Sequence, residues 1–180
     1  MHKDVLEILI SREQIEKRVK ELAAQIDEDY AGKELIVVSI LTGAMPFTTE
    51  LFLNLQGDAR LDSIKASSYG NSTSSSGTVE IIHEIRSTIA GKHVLLVDDV
   101  VDSGRTLKAL VERLKERQPA SIKTCVFLDK KECRAVDFDA DYVGYDIPDA
   151  FVIGYGLDYA EKYRNLPYVG IIKPEAVRND

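Results

Sequence analysis

The stretch Val94-Leu95-Leu96-Val97-Asp98-Asp99-Val100-Val101-Asp102-Ser103-Gly104-Arg105-Thr106 sets the architecture of this chain. Val94 to Val97 is an unbroken apolar run, the pattern of a strand buried on both faces of a parallel sheet. It ends in two acids. Leu107, Leu110, Val111 and Leu114 then recur at helical spacing, so a helix follows. A small hydroxyl-bearing turn, Asp102 to Thr106, thus lies between a strand's carboxyl end and a helix's amino end. In open α/β sheets ligands bind at that place. Free N–H groups and the helix dipole favour an anion there. Ser103 and Thr106 add hydroxyl donors, and Gly104 lets the backbone approach closely. A phosphate monoester suits such a turn. Asp98, Asp99 and Asp102 would repel it unless sugar hydroxyls donate to them or a divalent cation such as Mg²⁺ is shared with the substrate. Successive strand residues face opposite ways, so Asp98 and Asp99 have different tasks.

Outward from this segment, strands and helices alternate. Ser11 and Gln14 have capping-box spacing, and Ile15, Val19, Leu22 and Ile26 form one apolar helix face that Gly32 closes. Leu35 to Leu41 reads as a buried strand. Thr42-Gly43-Ala44 is a turn into a helix from Pro46 to Leu55. Strands are expected at Arg60–Tyr69, Val79–Ile85, Lys92–Val97, Ser121–Leu128, Tyr142–Tyr145, Phe151–Tyr155 and Tyr168–Ile172. The central helix runs from Gly104 to Arg117. Residues 67–78 are small and polar and cannot order themselves by burying apolar surface. The expectation is one doubly wound α/β domain over residues 1–180, with a mainly parallel central sheet flanked by helices.

The 180 residues suffice for one domain with a real core. The formal net charge of −7 argues against nucleic acid as the main partner. No run approaches the length of a membrane-spanning helix. The charged N-terminus leads into a short apolar stretch, Val5 to Ile10, broken by Glu7, which is not a signal peptide. Cys125 and Cys133 form no CxxC pair, and His2, His83 and His93 are scattered. A zinc cluster is not expected, and a reducing cytoplasm is the expected compartment. A strand ending in an acid pair also opens phosphate-accepting receiver domains, but there it starts the domain, whereas more than half of this chain precedes Asp99. There is no P-loop and no dinucleotide glycine fingerprint.

Val97-Asp98-Asp99-Val100-Val101-Asp102-Ser103-Gly104-Arg105-Thr106 closely resembles the phosphoribosyl-pyrophosphate signature of the type I phosphoribosyltransferases. Ser39-Ile40-Leu41-Thr42-Gly43-Ala44 resembles that family's pyrophosphate loop, and Ser68-Tyr69 the start of its mobile lid. Leu128-Asp129-Lys130, Phe151 to Tyr159 and Tyr163-Arg164 resemble the hypoxanthine-guanine branch. The matches span about residues 10 to 172.

The resemblance implies the family's fold, with a small hood and a lid at 67–78. It implies transfer of the phosphoribosyl group from phosphoribosyl pyrophosphate to a 6-oxopurine, giving IMP or GMP plus pyrophosphate. Asp102 becomes the general base facing purine N7. Asp98 and Asp99 hold ribose hydroxyls and Mg²⁺, and Ser103, Gly104, Arg105 and Thr106 cradle the 5′-phosphate. Leu41, Thr42, Gly43 and Arg164 meet pyrophosphate, and Tyr69 covers the site. Lys130 donates to the 6-oxo group, Phe151 stacks on the base, and the backbones of Val152 and Asp158 read its edge. The Asp158 carboxylate takes a second Mg²⁺. The resemblance also implies a homodimer or homotetramer and a cis Leu41–Thr42 peptide. Family members commonly carry Lys or Arg where this chain has Thr42, so a pyrophosphate-binding cation is missing there.

Each role has an ordinary alternative. Lys130 is a solvated charge like Lys131, Phe151 is core, and Arg164 pairs with Glu161. For the whole chain the alternatives are a xanthine-preferring or broad 6-oxopurine transferase, or a non-catalytic nucleotide- or RNA-binding regulator.

Overall fold

The computed structural model describes residues 1–68 and 79–177. Strand β1 (Val5–Ile10) leads into α1 (Arg12–Asp29), β2 (Leu35–Ile40), α2 (Met45–Asn54), β3 (Ala59–Ser68) and β4 (Val79–His83). Then come β5 (His93–Val101), α3 (Arg105–Lys115), β6 (Ser121–Asp129), β7 (Tyr142–Asp146), β8 (Val152–Ile153) and β9 (Val169–Ile172). The lid expected at 67–78 falls, from Tyr69 onward, outside the described residues.

Six strands form the main sheet in the order β4-β3-β2-β5-β6-β7. Neighbours from β3 to β7 run parallel, and only β4 is antiparallel to its partner. Every residue of β2 is buried, as its unbroken apolar run predicts. Helices cover both faces. Ile15, Val19 and Leu22 of α1 and Phe47 and Leu51 of α2 pack with Val37, Leu95, Val97 and Phe127. Leu107, Leu110 and Leu114 of α3 pack on the other face with Ile36, Val38, Leu96 and Val126. The expected doubly wound sheet is therefore present.

Local chemistry sets the helix starts. Ser11 and Gln14 form a reciprocal capping box at α1. Pro46 sits in the first turn of α2, where its missing N–H costs nothing. The first helix stops at Asp29, with Tyr30 as its cap, and Gly32 takes a left-handed φ of 72° just beyond.

Most element ends differ from the sequence reading by a residue or two, and three differences are larger. The central strand runs on to Val101 because Asp98 and Val100 still pair with Val126 and Leu128 of β6. The acids thus belong to the strand rather than following it. The strand expected at Phe151–Tyr155 shrinks to Val152–Ile153, because Gly154 and Tyr155 turn to φ values of 97° and 49°. Val5 to Ile10 is a strand although only Val5 and Ile10 are buried. It pairs antiparallel with β9, which also pairs with β8, so a separate three-stranded sheet roofs the end of the main one. This is the small hood the resemblance implies. Among the described residues no helix is long and apolar enough to cross a membrane.

Candidate active site

The carboxyl ends of β2, β5 and β6 converge under the hood. Asp98 and Asp99 close β5, each carboxylate turned back on the backbone: Asp98 Oδ1 accepts from Asp99 N–H at 3.0 Å and Asp99 Oδ1 from Val100 N–H at 2.9 Å. Burial, then the neighbouring Asp99 charge, pushes Asp98 well above the usual carboxylate range. Burial also raises Asp99, against a lowering pull from Arg164. Two carboxylates drawn out of water side by side make a cation-seeking spot.

Asp99 is fitted against the loop after β2 with no spare volume. A Cβ on Gly43 would fall 1.9 Å from Asp99 Oδ2. A Cβ on Gly156 would fall 2.0 Å from the Gly43 carbonyl oxygen, and Gly156 also has a φ of 100°. The acid, the Gly43 peptide and the Gly156 peptide are therefore stacked in contact. Only glycine allows that approach.

A cleft of about 230 Å³ opens beside the stack, lined by Asp99, Val100, Asp102, Lys130, Phe151, Val152, Leu157 and Asp158. Asp102 is exposed, and Lys130 Nζ lies 3.5 Å from its Oδ1 and 3.7 Å from Asp149 Oδ1. The Lys130 side chain keeps only 12% of its exposure, whereas Lys131 keeps 61% and pairs with Asp146. Lys130 is thus no solvated surface charge. Phe151 is 52% exposed and its ring meets that of Tyr159 edge-on, with ring centres 5.6 Å apart, so it is no core residue either.

The turn from Asp102 to Thr106 rims this cleft. Gly104, at φ 78°, starts α3, and no side chain caps the helix. The Ser103 hydroxyl accepts from Arg105 N–H at 3.4 Å, and the later N–H groups of the first turn remain for a ligand. Arg164 reaches back over Gly156, donating to its carbonyl at 2.7 Å, and pairs with Asp158 Oδ1 at 2.8 Å. Its contact with Glu161, the ordinary alternative, is present but looser, at 3.6 Å. Asp158 also accepts the Glu161 N–H at 2.8 Å. Among the described residues no three metal-ligating side chains gather at one point.

The site so assembled has a relative. The model of the phosphoribosyl transferase domain matches residues 7–160.

The chain belongs to this family.

It is 46% identical over 175 residues to the bifunctional protein TilS/HprT of Listeria monocytogenes serotype 4b. The match covers 97% of this chain, which spans 27% of the length of that bifunctional relative. It is also 46% identical over 174 residues, 97% of each chain, to the hypoxanthine-guanine phosphoribosyltransferase of Bacillus subtilis strain 168. Among solved structures, a hypoxanthine phosphoribosyltransferase from Staphylococcus aureus superimposes with a TM-score of 0.96 at 44% identity, covering 99% of this chain and 97% of that one.

Within the phosphoribosyl transferase frame, the loop after β2 has the expected shape. The Leu41–Thr42 peptide is cis, and Thr42 is exposed where family members commonly carry a cation. The structure brings Asp99, Asp102, Lys130, Phe151, Val152 and Asp158 to one cleft, whereas Asp98 sits beside Asp99 and does not line it. Gly43 packs on Asp99, Leu41 and Thr42 lead into it, and Arg164 pairs with Asp158. Ser68 closes β3, and Tyr69 lies outside the described residues. Two participants escape a sequence reading. Gly156 acts through contact with a loop 113 residues away, at Gly43. Asp129, only 1% exposed, looks like the end of a strand, yet it anchors Arg134 at 2.5 Å. The Asp-(x)4-Arg spacing is the sole local signal for that pair.

Proposed function

We propose that the chain transfers the phosphoribosyl group of phosphoribosyl pyrophosphate to hypoxanthine or guanine. The observation that carries this reading is the single cleft holding Asp102, Lys130 and Phe151 at the rim of an uncapped helix start. Purine N9 forms a bond to the anomeric carbon, and the bond from that carbon to the pyrophosphate oxygen breaks. Asp102 takes the proton leaving N7. Lys130, held near two carboxylates, donates to the 6-oxo group, whereas an adenine amino group offers it no acceptor. Phe151 presents an open ring face to the base, and the Val152 and Asp158 backbones read its edge. Ser103 to Thr106 receive the 5′-phosphate. Positive charge developing on the ribose is stabilised by Asp98 and Asp99.

The donor set fits Mg²⁺. Asp98 and Asp99 are two crowded carboxylates without a hydrogen-bonded cation among the described residues, and Mg²⁺ prefers one or two carboxylates with substrate oxygens and water completing its shell. Bound there, it supplies charge neutralisation for the leaving pyrophosphate. Asp158 and Arg164 pair with each other at 2.8 Å; Asp158 would hold a second Mg²⁺ and Arg164 would contact pyrophosphate. The lid at 67–78, with Ser68 at its base and Tyr69 over the site, excludes water from the activated sugar.

The active form is a homo-oligomer. Met45, Leu53 and Leu61 are large, apolar and about half to three-quarters exposed. Met45 and Leu61 line a 640 Å³ hollow beside the 41–49 loop that holds none of the site acids. An apolar patch of this kind marks an interaction surface. The compartment is the cytoplasm, where Cys125 and Cys133, both free thiols, stay reduced.

The test is release of pyrophosphate from phosphoribosyl pyrophosphate with each of hypoxanthine, guanine, xanthine and adenine, with and without Mg²⁺. Release with hypoxanthine and guanine that needs Mg²⁺ is the expected result. A preference for xanthine would move the substrate reading. No release with any base would leave a binding protein.

A further inference from the structure

Three consecutive carbonyls of the cleft rim are held from the same side. Val101 O accepts from Lys130 N–H at 3.0 Å, Asp102 O from the Arg134 guanidinium at 2.6 Å, and Ser103 O from Ala135 N–H at 3.0 Å. All three donors come from the segment that follows β6. Arg134 is itself fixed, because its other terminal nitrogen pairs with the buried Asp129 carboxylate at 2.5 Å. Its side chain keeps 14% of its exposure. Its Cδ, with Val136 and Phe138, lies against Gly104 so closely that a Cβ there would fall 3.0 Å from Arg134 Cδ.

A planar trans peptide points its N–H opposite to its C=O. Turning the carbonyls of residues 101, 102 and 103 towards the 129–138 segment therefore turns the N–H groups of Asp102, Ser103 and Gly104 the other way. That is the side of the cleft and of the α3 start. Three successive amides facing one way make an anion-binding concavity. Two of the three carbonyls are held by backbone donors, which no substitution but proline removes. Only the middle one depends on a side chain.

We propose that Arg134 is a positioning residue that sets the direction of the Ser103 amide, and with it the affinity of the rim for a 5′-phosphate. The inference rests on reading Ser103 to Thr106 as the phosphate cradle of the proposed transferase. Asp129 serves it by keeping the guanidinium in place. Lys at 134 can keep the pairing with Asp129 but lacks the planar fork whose two terminal nitrogens reach Asp129 and Asp102 O separately.

The experiment compares wild type, Arg134→Lys and Arg134→Met by calorimetry with ribose 5-phosphate, IMP and inosine, beside thermal melting and initial rates. A purely structural role lowers the melting temperature and the active fraction but leaves the preference for IMP over inosine unchanged. The expected result is a selective loss. Affinity for both phosphate ligands falls about tenfold to a hundredfold, the worth of one hydrogen bond to a charged group. Inosine binding moves less than twofold. Arg134→Lys melts close to wild type and still loses phosphate affinity, and KM for phosphoribosyl pyrophosphate rises more than kcat falls. Phosphate affinity within twofold of wild type in folded Arg134→Lys overturns the inference, as does an equal loss for inosine and IMP. A wild type that binds ribose 5-phosphate but releases no pyrophosphate sinks the transferase reading alone, because the phosphate comparison still decides the role of Arg134.

Discussion

Asp102 and Thr42 carry opposite lessons at the scale of single residues. Asp102 is exposed at the cleft, its carboxylate 3.5 Å from Lys130 Nζ, so replacing it leaves the fold alone. Asp102→Asn should melt like wild type and lose about 10²–10⁴-fold in kcat, the usual contribution of a positioned carboxylate base. Wild-type turnover with hypoxanthine would remove Asp102 from that role. Thr42 is the place where the chain departs from its family. It is exposed, so a cation added there is screened and adds at most about 1 kcal/mol. Thr42→Lys should lower KM for phosphoribosyl pyrophosphate by no more than about fivefold, with kcat little changed. A larger gain would mean that the loop is short of charge rather than adequately served by its backbone amides. Both residues were legible because each sits inside a contiguous motif. Arg134 and Gly156 were not, because what gives them meaning is a contact made only after folding.

Between elements, the molecule depends on fits that leave no slack. The turn after β8 touches the loop after β2 through Gly156 and Gly43. Gly156→Ala would bring a methyl carbon to 2.0 Å from a backbone oxygen and force a residue with a side chain to φ 100°. The backbone strain alone costs about 1–3 kcal/mol. The variant should unfold at lower urea and lose pyrophosphate binding, because the displaced Gly43 peptide drags Asp99 with it; unchanged pyrophosphate affinity would refute that coupling. Asp62 in β3 plays a similar joining part. Burial raises its pKa, but the Ser87 hydroxyl and the N–H groups of Ser87, Ser63 and Arg86 outweigh burial and hold it below 3.8. A depressed folded-state pKa contributes stability above the unfolded value that is lost as pH falls through the folded one. Asp62→Asn should therefore melt below wild type at pH 7, and the gap should narrow as pH drops beneath 3.8. A gap that is constant with pH would assign the loss to packing. Elements buried on both faces, such as β2 and β5, were read from sequence because burial forces a continuous apolar run. The strand β1 was not. Its Leu6, Glu7 and Ile8 are exposed, and its partner is β9, some 160 residues further on.

For the whole molecule, the patch at Met45, Leu53 and Leu61 governs assembly in the reading offered above. Leu61→Glu should lower the sedimentation coefficient towards that of a 20.1 kDa monomer, since a buried unpaired carboxylate opposes association. A wild type that already sediments as a monomer at micromolar concentration would remove the oligomer. The doubly wound core was fully legible because alternating strand and helix patterns allow few topologies. The hood came only from family resemblance, since its sheet joins the two ends of the sequence.

That joining orders events in time. The hood sheet has β9 at its centre, with β1 on one side and β8 on the other. As the chain leaves the ribosome, β1 emerges first and must wait, unpaired, for nearly the whole polypeptide. Phe151 and Val152, which line the cleft, cannot be fixed until β9 is free of the exit tunnel. A nascent chain can hence complete its parallel core before the hood sheet closes over the cleft.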